Sequence, residues 1–164
     1  KMQYWGNQNI PLTASCFEGD RLLLLRLAGS HIQSEMAKIP AEKMHDGPQF
    51  WADLREHKLA FFAGESPPLW RLSLPLGTPH LALEGNWLIE WGGALRWLRT
   101  DLPAHIIREH VAQAGGHATL FRGGDRQSAV FHPLPAALDK LHQRLKMQFD
   151  PQAILNPRRL AVDW

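Results

Sequence analysis

The sequence is poor in cysteine: Cys16 is the single one among 164 residues. One cysteine cannot form a disulfide within the chain, so a disulfide-stapled secreted domain is excluded and a cytoplasmic setting is favoured. Cys16 lies in an alternating, strand-like stretch, where a small buried side chain is a more common role than a reactive thiol. We therefore expect Cys16 to be buried and inert.

Long apolar runs are also lacking. No run approaches the roughly 18 residues that cross a membrane, and the leucine-rich segment 22–27 is interrupted by Arg26. No segment has the basic, apolar and small-residue regions of a signal peptide. The sequence predicts neither a membrane span nor export.

Charge of one sign is not in excess, because 18 lysines and arginines face 16 acidic residues, for a net charge of +2. The basic residues are scattered, and the cluster Pro157-Arg158-Arg159 is too short to form a binding face. These features argue against nucleic-acid binding.

Metal and nucleotide motifs are absent as well. Nine histidines are present, yet none shows H-x-H or H-E-x-x-H spacing, and one cysteine cannot complete a zinc site with them. The pairs Gly92-Gly93, Gly115-Gly116 and Gly123-Gly124 fit neither G-x-G-x-x-G nor a P-loop. We expect no metal, and we interpret the glycine pairs as turns.

Hydrophobic periodicity and turn residues predict the order β-β-α-α-β-β-β-α-β-α. Hairpins imply antiparallel pairing, so we predict an α+β fold with helices on one face of the sheet, ferredoxin-like in kind. Residues 2–5 resemble the end of a helix, which suggests a fragment of a longer protein. The predicted strands cover 11–17, 21–28, 69–74, 87–91, 94–99 and 117–121, and the predicted helices cover 31–38, 46–58, 103–114 and about 134–149.

The hairpin around Gly92-Gly93 carries the first candidate site residues. Cross-strand pairing places Glu90 on one face with Trp97 and places Arg96 on the other. An arginine among aromatic side chains either binds a carboxylate in bidentate fashion or stacks on a tryptophan at the surface. Arg71 and Arg122 have the same two interpretations.

Two histidines are further candidates. His117 begins a predicted strand and His132 precedes the last predicted helix. Either side chain could act as a general base near neutral pH or could instead serve in capping and packing.

Three stretches are distinctive in combination: 89–97 (IEWGGALRW), 115–125 (GGHATLFRGGD), and 130–134 (VFHPL) leading to Phe149-Asp150-Pro151. Together they resemble the FAD-binding subunit of bacterial glycolate oxidase, also called glycolate dehydrogenase. The segments 11–15 and 25–29 fit the same family, and the resemblance covers nearly the whole chain.

The end of the chain is similar to a wider signature. FAD-linked oxidases of the vanillyl-alcohol oxidase type tend to end in F-D-P-x-x-I-x-N-P-G-[RK]. This chain has Asn156-Pro157-Arg158-Arg159, so Arg158 replaces the glycine of the family's tight turn. The resemblance implies that Asn156, Arg158 and Arg159 contact the cofactor.

The resemblance implies that residues 1–164 are one C-terminal cap domain. Its FAD would be held mainly by an N-terminal domain that this chain lacks, so the fragment alone would be inactive. The reaction implied is oxidation of a small 2-hydroxy acid, glycolate to glyoxylate, within a complex that includes a second flavoprotein subunit and an iron–sulfur subunit. That complex would be cytoplasmic or held peripherally at the inner membrane.

The resemblance also suggests roles for particular residues. Arg96 would bind the substrate carboxylate, His117 or Glu90 would accept the hydroxyl proton, and Arg122 would assist. These side chains cannot all share one sheet face. Two other functions stay open: a non-catalytic module that joins the flavin and iron–sulfur subunits through exposed tryptophans, and a ferredoxin-like sensor of small molecules.

Overall fold

The chain forms a single antiparallel sheet with helices packed around it. The computed structural model describes residues 2–19, 22–125 and 130–157, which form six strands and five α-helices. The predicted order of strands and helices is confirmed, and the short α1 confirms the helical start. The strands are β1 (Leu12–Glu18), β2 (Leu22–Leu27), β3 (Leu69–Ser73), β4 (Asn86–Glu90), β5 (Leu95–Arg99) and β6 (His117–Arg122). The helices are α1 (Met2–Gly6), α2 (Ile32–Met36), α3 (Gly47–Arg55), α4 (Ala104–Gln113) and α5 (Ala136–Phe149).

The strand order in the sheet is β2-β1-β4-β5-β3-β6, and every neighbouring pair is antiparallel. The fold class, α+β with an antiparallel sheet, is therefore confirmed. Strands β3 and β4 run parallel to each other on either side of β5, which is compatible with a ferredoxin-like unit formed by β3 to β6. The connection 74–85 between β3 and β4 contains no helix.

Both faces of the sheet are covered, and in this detail the prediction of helices on one face was wrong. On one face, Ile107 and Val111 of α4 pack on the sheet. On the opposite face, Leu54 of α3 and Phe62 of the 3-10 turn Ala60–Phe62 pack on it. We call these the α4 face and the α3 face.

The reason for two covered faces lies in the composition of the central strands. All five residues of β5 are buried, and Leu88, Leu98 and Trp97 have almost no exposed surface. Leu98 belongs to the α4-face cluster, whereas Leu88 and Trp97 belong to the α3-face cluster. A strand with apolar side chains on both sides must be covered on both sides, because each exposed face would leave apolar surface in water.

Helix α5 is the exception to this packing. Its predicted leucine stripe exists, but Leu138, Leu141 and Leu145 are 46%, 50% and 47% exposed. Neither hydrophobic cluster of the sheet includes a residue of α5. The apolar face of this helix is therefore not part of the described core.

Asp150 ends α5 and organises the residues that follow it. Its carboxylate accepts hydrogen bonds from the backbone N–H groups of Ile154 (3.0 Å) and Leu155 (2.9 Å), and it pairs with Lys146. The hydrogen bond from Lys146 is the main cause that holds the pKa of Asp150 below its ordinary value. These contacts fold the segment 151–155 back toward the end of the helix.

Within the described part of the chain, no helix is both long and apolar enough to cross a membrane.

Candidate functional site

A large concavity lies on the α3 face of the sheet. It has a volume of about 1150 Å³ and is bounded by β1, β2, β4 and β5 on one side and by the segment 32–57 on the other. Glu90 and Trp97 form part of its floor, and Leu24, Trp51, Leu54 and His57 form its walls. Sites for small molecules have volumes of about 300–1000 Å³ and combine apolar walls with a few polar groups, and this groove has the same character.

Glu90 is a half-buried carboxylate on the groove floor. The indole N–H of Trp97 donates a hydrogen bond to its Oε1 at 2.6 Å, which confirms that both side chains share one face. Burial raises the pKa of Glu90, against the opposing effects of the Trp97 hydrogen bond and the charge of Arg71. A carboxyl group shifted toward neutral pH and held in one orientation is suited to accept and return a proton.

Arg71 is the cation next to this carboxylate. It pairs with Trp97 across β3 and β5, so its side chain lies on the α3 face, and it is half-buried. Within the described residues its guanidinium takes part in no hydrogen bond or salt bridge, although its charge lowers the pKa of Glu90. Arg71 and Glu90 thus lie on either side of Trp97. Arg71 is a cation whose N–H groups donate no hydrogen bond within the described residues, and Glu90 is a proton acceptor.

Arg96 lies on the opposite, α4 face, as the hairpin register predicted. Only 4% of it is exposed, and its guanidinium donates to the carbonyls of Gly93 (3.0 Å), Pro79 (2.8 Å) and Thr78. These bonds join the loop after β3 to the turn between β4 and β5. The donors of Arg96 are therefore directed at the main chain.

His117 starts β6 at the edge of the sheet and is exposed. The register runs from Glu90 to Leu95, then to Ser73, then to His117, which places three strand spacings, roughly 14 Å, between Glu90 and His117. The structure does not bring these two candidates together.

His132 has a local hydrogen bond. Its Nδ1 accepts the backbone N–H of Ala118 at 3.3 Å, and burial, aided by the charges of Arg108 and His117, lowers its pKa. The neutral ring thus joins β6 to the segment before α5, as the capping interpretation expects.

His57 lines one part of the groove, and Arg122 is close enough for its charge to act on the His57 ring. Arg122 donates to the carbonyl of Phe62 at 2.7 Å. The ring of His57 stacks on Phe62 at 4.3 Å and meets Trp97 edge-on at 4.8 Å. Burial, followed by the charge of Arg122, lowers the pKa of His57.

Sequence reasoning missed His57 as a site residue. It was interpreted only as a possible last position of a helix, whereas it has a positive φ of 54° just after α3. No local motif marks it, since its partners Trp97 and Phe121 come from distant strands.

Arg99 is a second residue that sequence reasoning missed. It is 6% exposed and donates to the carbonyls of Phe61 (2.6 Å), Pro67 (2.7 Å), Ala63 (2.8 Å) and Gly64 (3.0 Å). It therefore secures the loop that carries Phe62 and, through Phe62, His57.

The remaining candidates bear on cofactors and metals. Asn156 is described, is exposed and has a positive φ of 47°, whereas Arg158 and Arg159 lie outside the described residues. No group of three potential metal ligands occurs in the ranges that the structure describes. Cys16 is fully buried, as expected, and burial raises its pKa to about 12, so it is no nucleophile at neutral pH.

The fold and the groove define the class of protein. It is an α+β domain with an antiparallel sheet, and one face of the sheet has a ligand-sized groove lined by the carboxylate side chain of Glu90. Over 159 residues the chain is 40% identical to the glycolate oxidase subunit GlcE of Escherichia coli K12. The match covers 97% of this chain and 44% of that protein, so the chain spans less than half the length of the curated relative it matches. The resemblance to a glycolate oxidase subunit is confirmed.

No model of a known protein family matches the chain, and no solved structure matches it.

Proposed function

We propose that this chain is the C-terminal part of a flavin-dependent subunit that oxidises a small 2-hydroxy acid, with glycolate as the reference substrate. The observation that carries the proposal is the 40% identity to a glycolate oxidase subunit along 97% of the chain. The α3 face supplies the site, because Glu90, a proton acceptor on the groove floor, lies on the same face as the cation Arg71, whose charge lowers the pKa of Glu90.

The glycines of two of the glycine pairs pack against protein backbone, so these pairs are not where the FAD phosphates would be bound. A Cβ added at Gly116 would lie 2.4 Å from the carbonyl oxygen of Ser73, and one at Gly123 would lie 2.0 Å from that of Glu65. These glycines therefore permit close packing of protein backbone rather than forming a phosphate cradle. FAD would be bound mainly by the part of the longer protein outside this chain, with Asn156 and the arginines after it as proposed contacts.

When bound, FAD accepts the hydride equivalent from the α-carbon of the acid. In our proposal Arg71 holds the substrate carboxylate, since its guanidinium has open donors at the α3 face. Glu90 takes the hydroxyl proton, and the 2.6 Å hydrogen bond from Trp97 keeps its carboxylate oriented.

The sequence had pointed to Arg96 for the first role and to His117 or Glu90 for the second. The geometry supports Arg71 over Arg96, because the donors of Arg96 already bind three carbonyls on the other face. It supports Glu90 over His117, because His117 is exposed at the sheet edge. We assign Arg96 the task of bracing the loops and Arg122 that of supporting the groove end through Phe62.

The test uses the full-length protein with its flavin and its partner subunits. Glycolate added without oxygen should bleach the oxidised flavin spectrum. Glu90→Gln should lower kcat/KM by about 10²–10⁴-fold, the usual contribution of a general base. Arg71→Met should mainly raise KM. Arg144→Met is the control, because Arg144 is an exposed cation on α5.

Several outcomes would contradict the proposal. Flavin that stays oxidised with every 2-hydroxy acid would exclude the reaction. Activity lost in Arg96→Ala at full stability and flavin content, but kept in Arg71→Met, would return the carboxylate to Arg96.

A second function, assembly of a multi-subunit complex, is favoured by α5. Its stripe and the following Ile154 and Leu155 are largely exposed, and such patches mark interaction surfaces. The proposed partners are a second flavoprotein subunit and an iron–sulfur subunit. Three of the tryptophans do not support this role, because Trp70, Trp87 and Trp97 are buried. Trp91, which is 67% exposed, could still contact a partner. Leu141→Asp should release the partners from an affinity-purified complex if the helix binds them.

A further inference from the structure

Helix α3 ends in a turn whose left-handed residue is a histidine rather than a glycine. After the helix, the N–H of His57 donates to the carbonyl of Leu54 at 3.2 Å, and the N–H of Lys58 donates to that of Asp53 at 2.7 Å. This pair of hydrogen bonds is the Schellman motif, in which the left-handed residue is usually glycine. In this turn that residue is His57, with a φ of 54°.

Histidine at this position has a conformational cost. The left-handed region is unfavourable for residues with a Cβ, and a glycine would avoid that cost. Among such residues, histidine tolerates this region better than most, whereas bulky side chains such as phenylalanine are rarer there. The reason for a histidine in this turn therefore lies in the contacts of its ring.

The ring of His57 belongs to an aromatic cluster around the Trp97 indole. It stacks on Phe62 with ring centroids 4.3 Å apart, and it meets Trp97 edge-on at 4.8 Å. Phe62 and Phe121 also meet the indole edge-on, at 5.4 Å and 4.9 Å. Of these three rings, that of His57 is the one that also lines the groove. Its lowered pKa keeps it neutral at neutral pH, as packing among aromatic rings requires.

The indole that this cluster surrounds is the hydrogen-bond donor of Glu90. Trp97 Nε1 donates to Glu90 Oε1 at 2.6 Å, and only 3% of Trp97 is exposed. Rings packed edge-on against the indole restrict its rotation and so fix the direction of its N–H. Within the described residues, His57 and Glu90 share no hydrogen bond, so His57 acts on Glu90 through Trp97.

We propose that His57 is a positioning residue for the proton acceptor: its ring fixes the Trp97 indole, and the indole fixes the carboxylate of Glu90. This inference rests on the proposed function, in which Glu90 accepts the hydroxyl proton, and it adds the residue that keeps this acceptor in place. A proton acceptor must lie within hydrogen-bond reach of the hydroxyl, and a displacement of about 1 Å costs on the order of 10²-fold in rate.

The experiment uses the full-length protein with bound flavin and its partner subunits, and it measures anaerobic flavin reduction over a range of glycolate concentrations. His57→Gly removes the ring and gives the turn its preferred residue. We expect the limiting rate to fall by about 10- to 100-fold, with little change in the half-saturating glycolate concentration. His57→Asn also lacks the ring and tolerates the left-handed conformation, so it should behave alike.

Two comparisons show that the ring itself matters. His57→Phe keeps an aromatic ring and should retain most of the rate, at some loss of stability in urea because phenylalanine is less favourable in this turn. Ala153→Gly is the matched control, because Ala153 is also left-handed, with a φ of 53°, and is exposed outside the groove. It should leave the rate unchanged. Flavin content and urea unfolding are measured for every variant.

A double-variant cycle shows whether His57 acts through Trp97. Trp97→Phe removes the N–H that Glu90 accepts, so it should itself lower the rate. Adding His57→Gly to Trp97→Phe should then lower the rate by less than about twofold further, because the contact that His57 supports is already gone.

The outcomes separate this inference from the function on which it rests. A wild-type rate in both His57→Gly and His57→Asn, together with a large loss in Glu90→Gln, overturns the inference alone. A loss in His57→Phe as large as in His57→Gly assigns the effect to the ring nitrogens and overturns it too, as do effects of His57→Gly and Trp97→Phe that simply multiply. A full rate in Glu90→Gln, or a flavin that no 2-hydroxy acid reduces, overturns the proposed function and the inference together.

Discussion

At the scale of single residues, the charged groups inside this protein find partners in the main chain. Arg96 and Arg99 lie three positions apart on opposite faces of β5, and both are buried without a carboxylate partner among the described residues. Their planar guanidinium groups donate hydrogen bonds to loop carbonyls that have no backbone partner within the loop. These hydrogen bonds offset the cost of burying the charge. Both arginines thereby fix loops around the two faces.

Arg99→Met should destabilise the protein strongly. The substitution keeps apolar bulk but leaves four loop carbonyls without a donor, and each buried unpaired group costs about 1–3 kcal/mol. We expect the free energy of unfolding in urea to fall by about 3 kcal/mol or more. Arg144→Met, an exposed control, should change it by less than about 0.5 kcal/mol. Equal effects of the two variants would show that the carbonyl contacts carry no stability.

Glu90 should make stability depend on pH. Burial raises its native pKa above the value of 4.5 expected for the unfolded chain, so the native state holds the proton more tightly. Its contribution is therefore fully present below that value and is lost as pH rises through the native pKa.

Glu90→Gln removes this titration while keeping an oxygen for Trp97. The variant should gain stability relative to the wild type as pH rises through the same window, measured by urea unfolding at a series of pH values from about 4 to 8. Glu84→Gln, at an exposed position, is the control. A constant difference between Glu90→Gln and wild type at all pH values would refute the argument.

At the scale of secondary-structure elements, α4 and α5 show how the same periodicity leads to different environments. Both carry an apolar stripe at helical spacing. Ile107 and Val111 of α4 are completely buried, whereas Leu138 and Leu141 of α5 are about half exposed. An apolar stripe predicts that one face of a helix will be buried, but it does not specify which surface that face packs against.

Matched substitutions in the two helices should differ sharply. Ile107→Ala opens a cavity in the α4-face cluster and should cost about 2–5 kcal/mol of unfolding free energy. Leu141→Gln should cost less than about 0.5 kcal/mol in this chain, because the side chain is already half in water. Urea unfolding of both variants provides the measurement. A large loss for Leu141→Gln would mean that α5 packs on the domain.

At the scale of the whole molecule, one sheet joins two hydrophobic clusters. The α4-face cluster and the α3-face cluster share the central strands, and β5 contributes Leu98 to the first and Trp97 to the second. Neither cluster can lose its packing without disturbing the strand that supports the other. The domain should therefore unfold as one cooperative unit.

Leu98→Ala and Leu88→Ala test this coupling from opposite faces. Both side chains are fully buried, so each truncation should cost about 2–5 kcal/mol. Tryptophan fluorescence and far-UV circular dichroism should still report the same transition midpoint within each variant. Separate midpoints for the two probes would show that the faces unfold independently.

The sequence by itself determined the order of strands and helices, the register of the β4–β5 hairpin and the burial of Cys16. These properties depend on residues close in sequence, because hydrophobic periodicity sets the secondary structure and glycine and proline set where it turns or ends. The opposite faces of Glu90 and Arg96 followed from the same register. Side chains alternate between the two faces along every strand, so this arrangement can be predicted without the rest of the structure.

Only the tertiary structure decided which charged side chains are free to act and which faces are covered. The carbonyls that accept hydrogen bonds from Arg99 are 32 to 38 positions away in sequence, and two of the aromatic rings around His57, those of Trp97 and Phe121, come from β5 and β6. Such contacts arise from how loops close over the sheet, and no local pattern encodes them. For that reason the sequence favoured Arg96, whereas the folded chain leaves Arg71 beside Glu90 with its donors open.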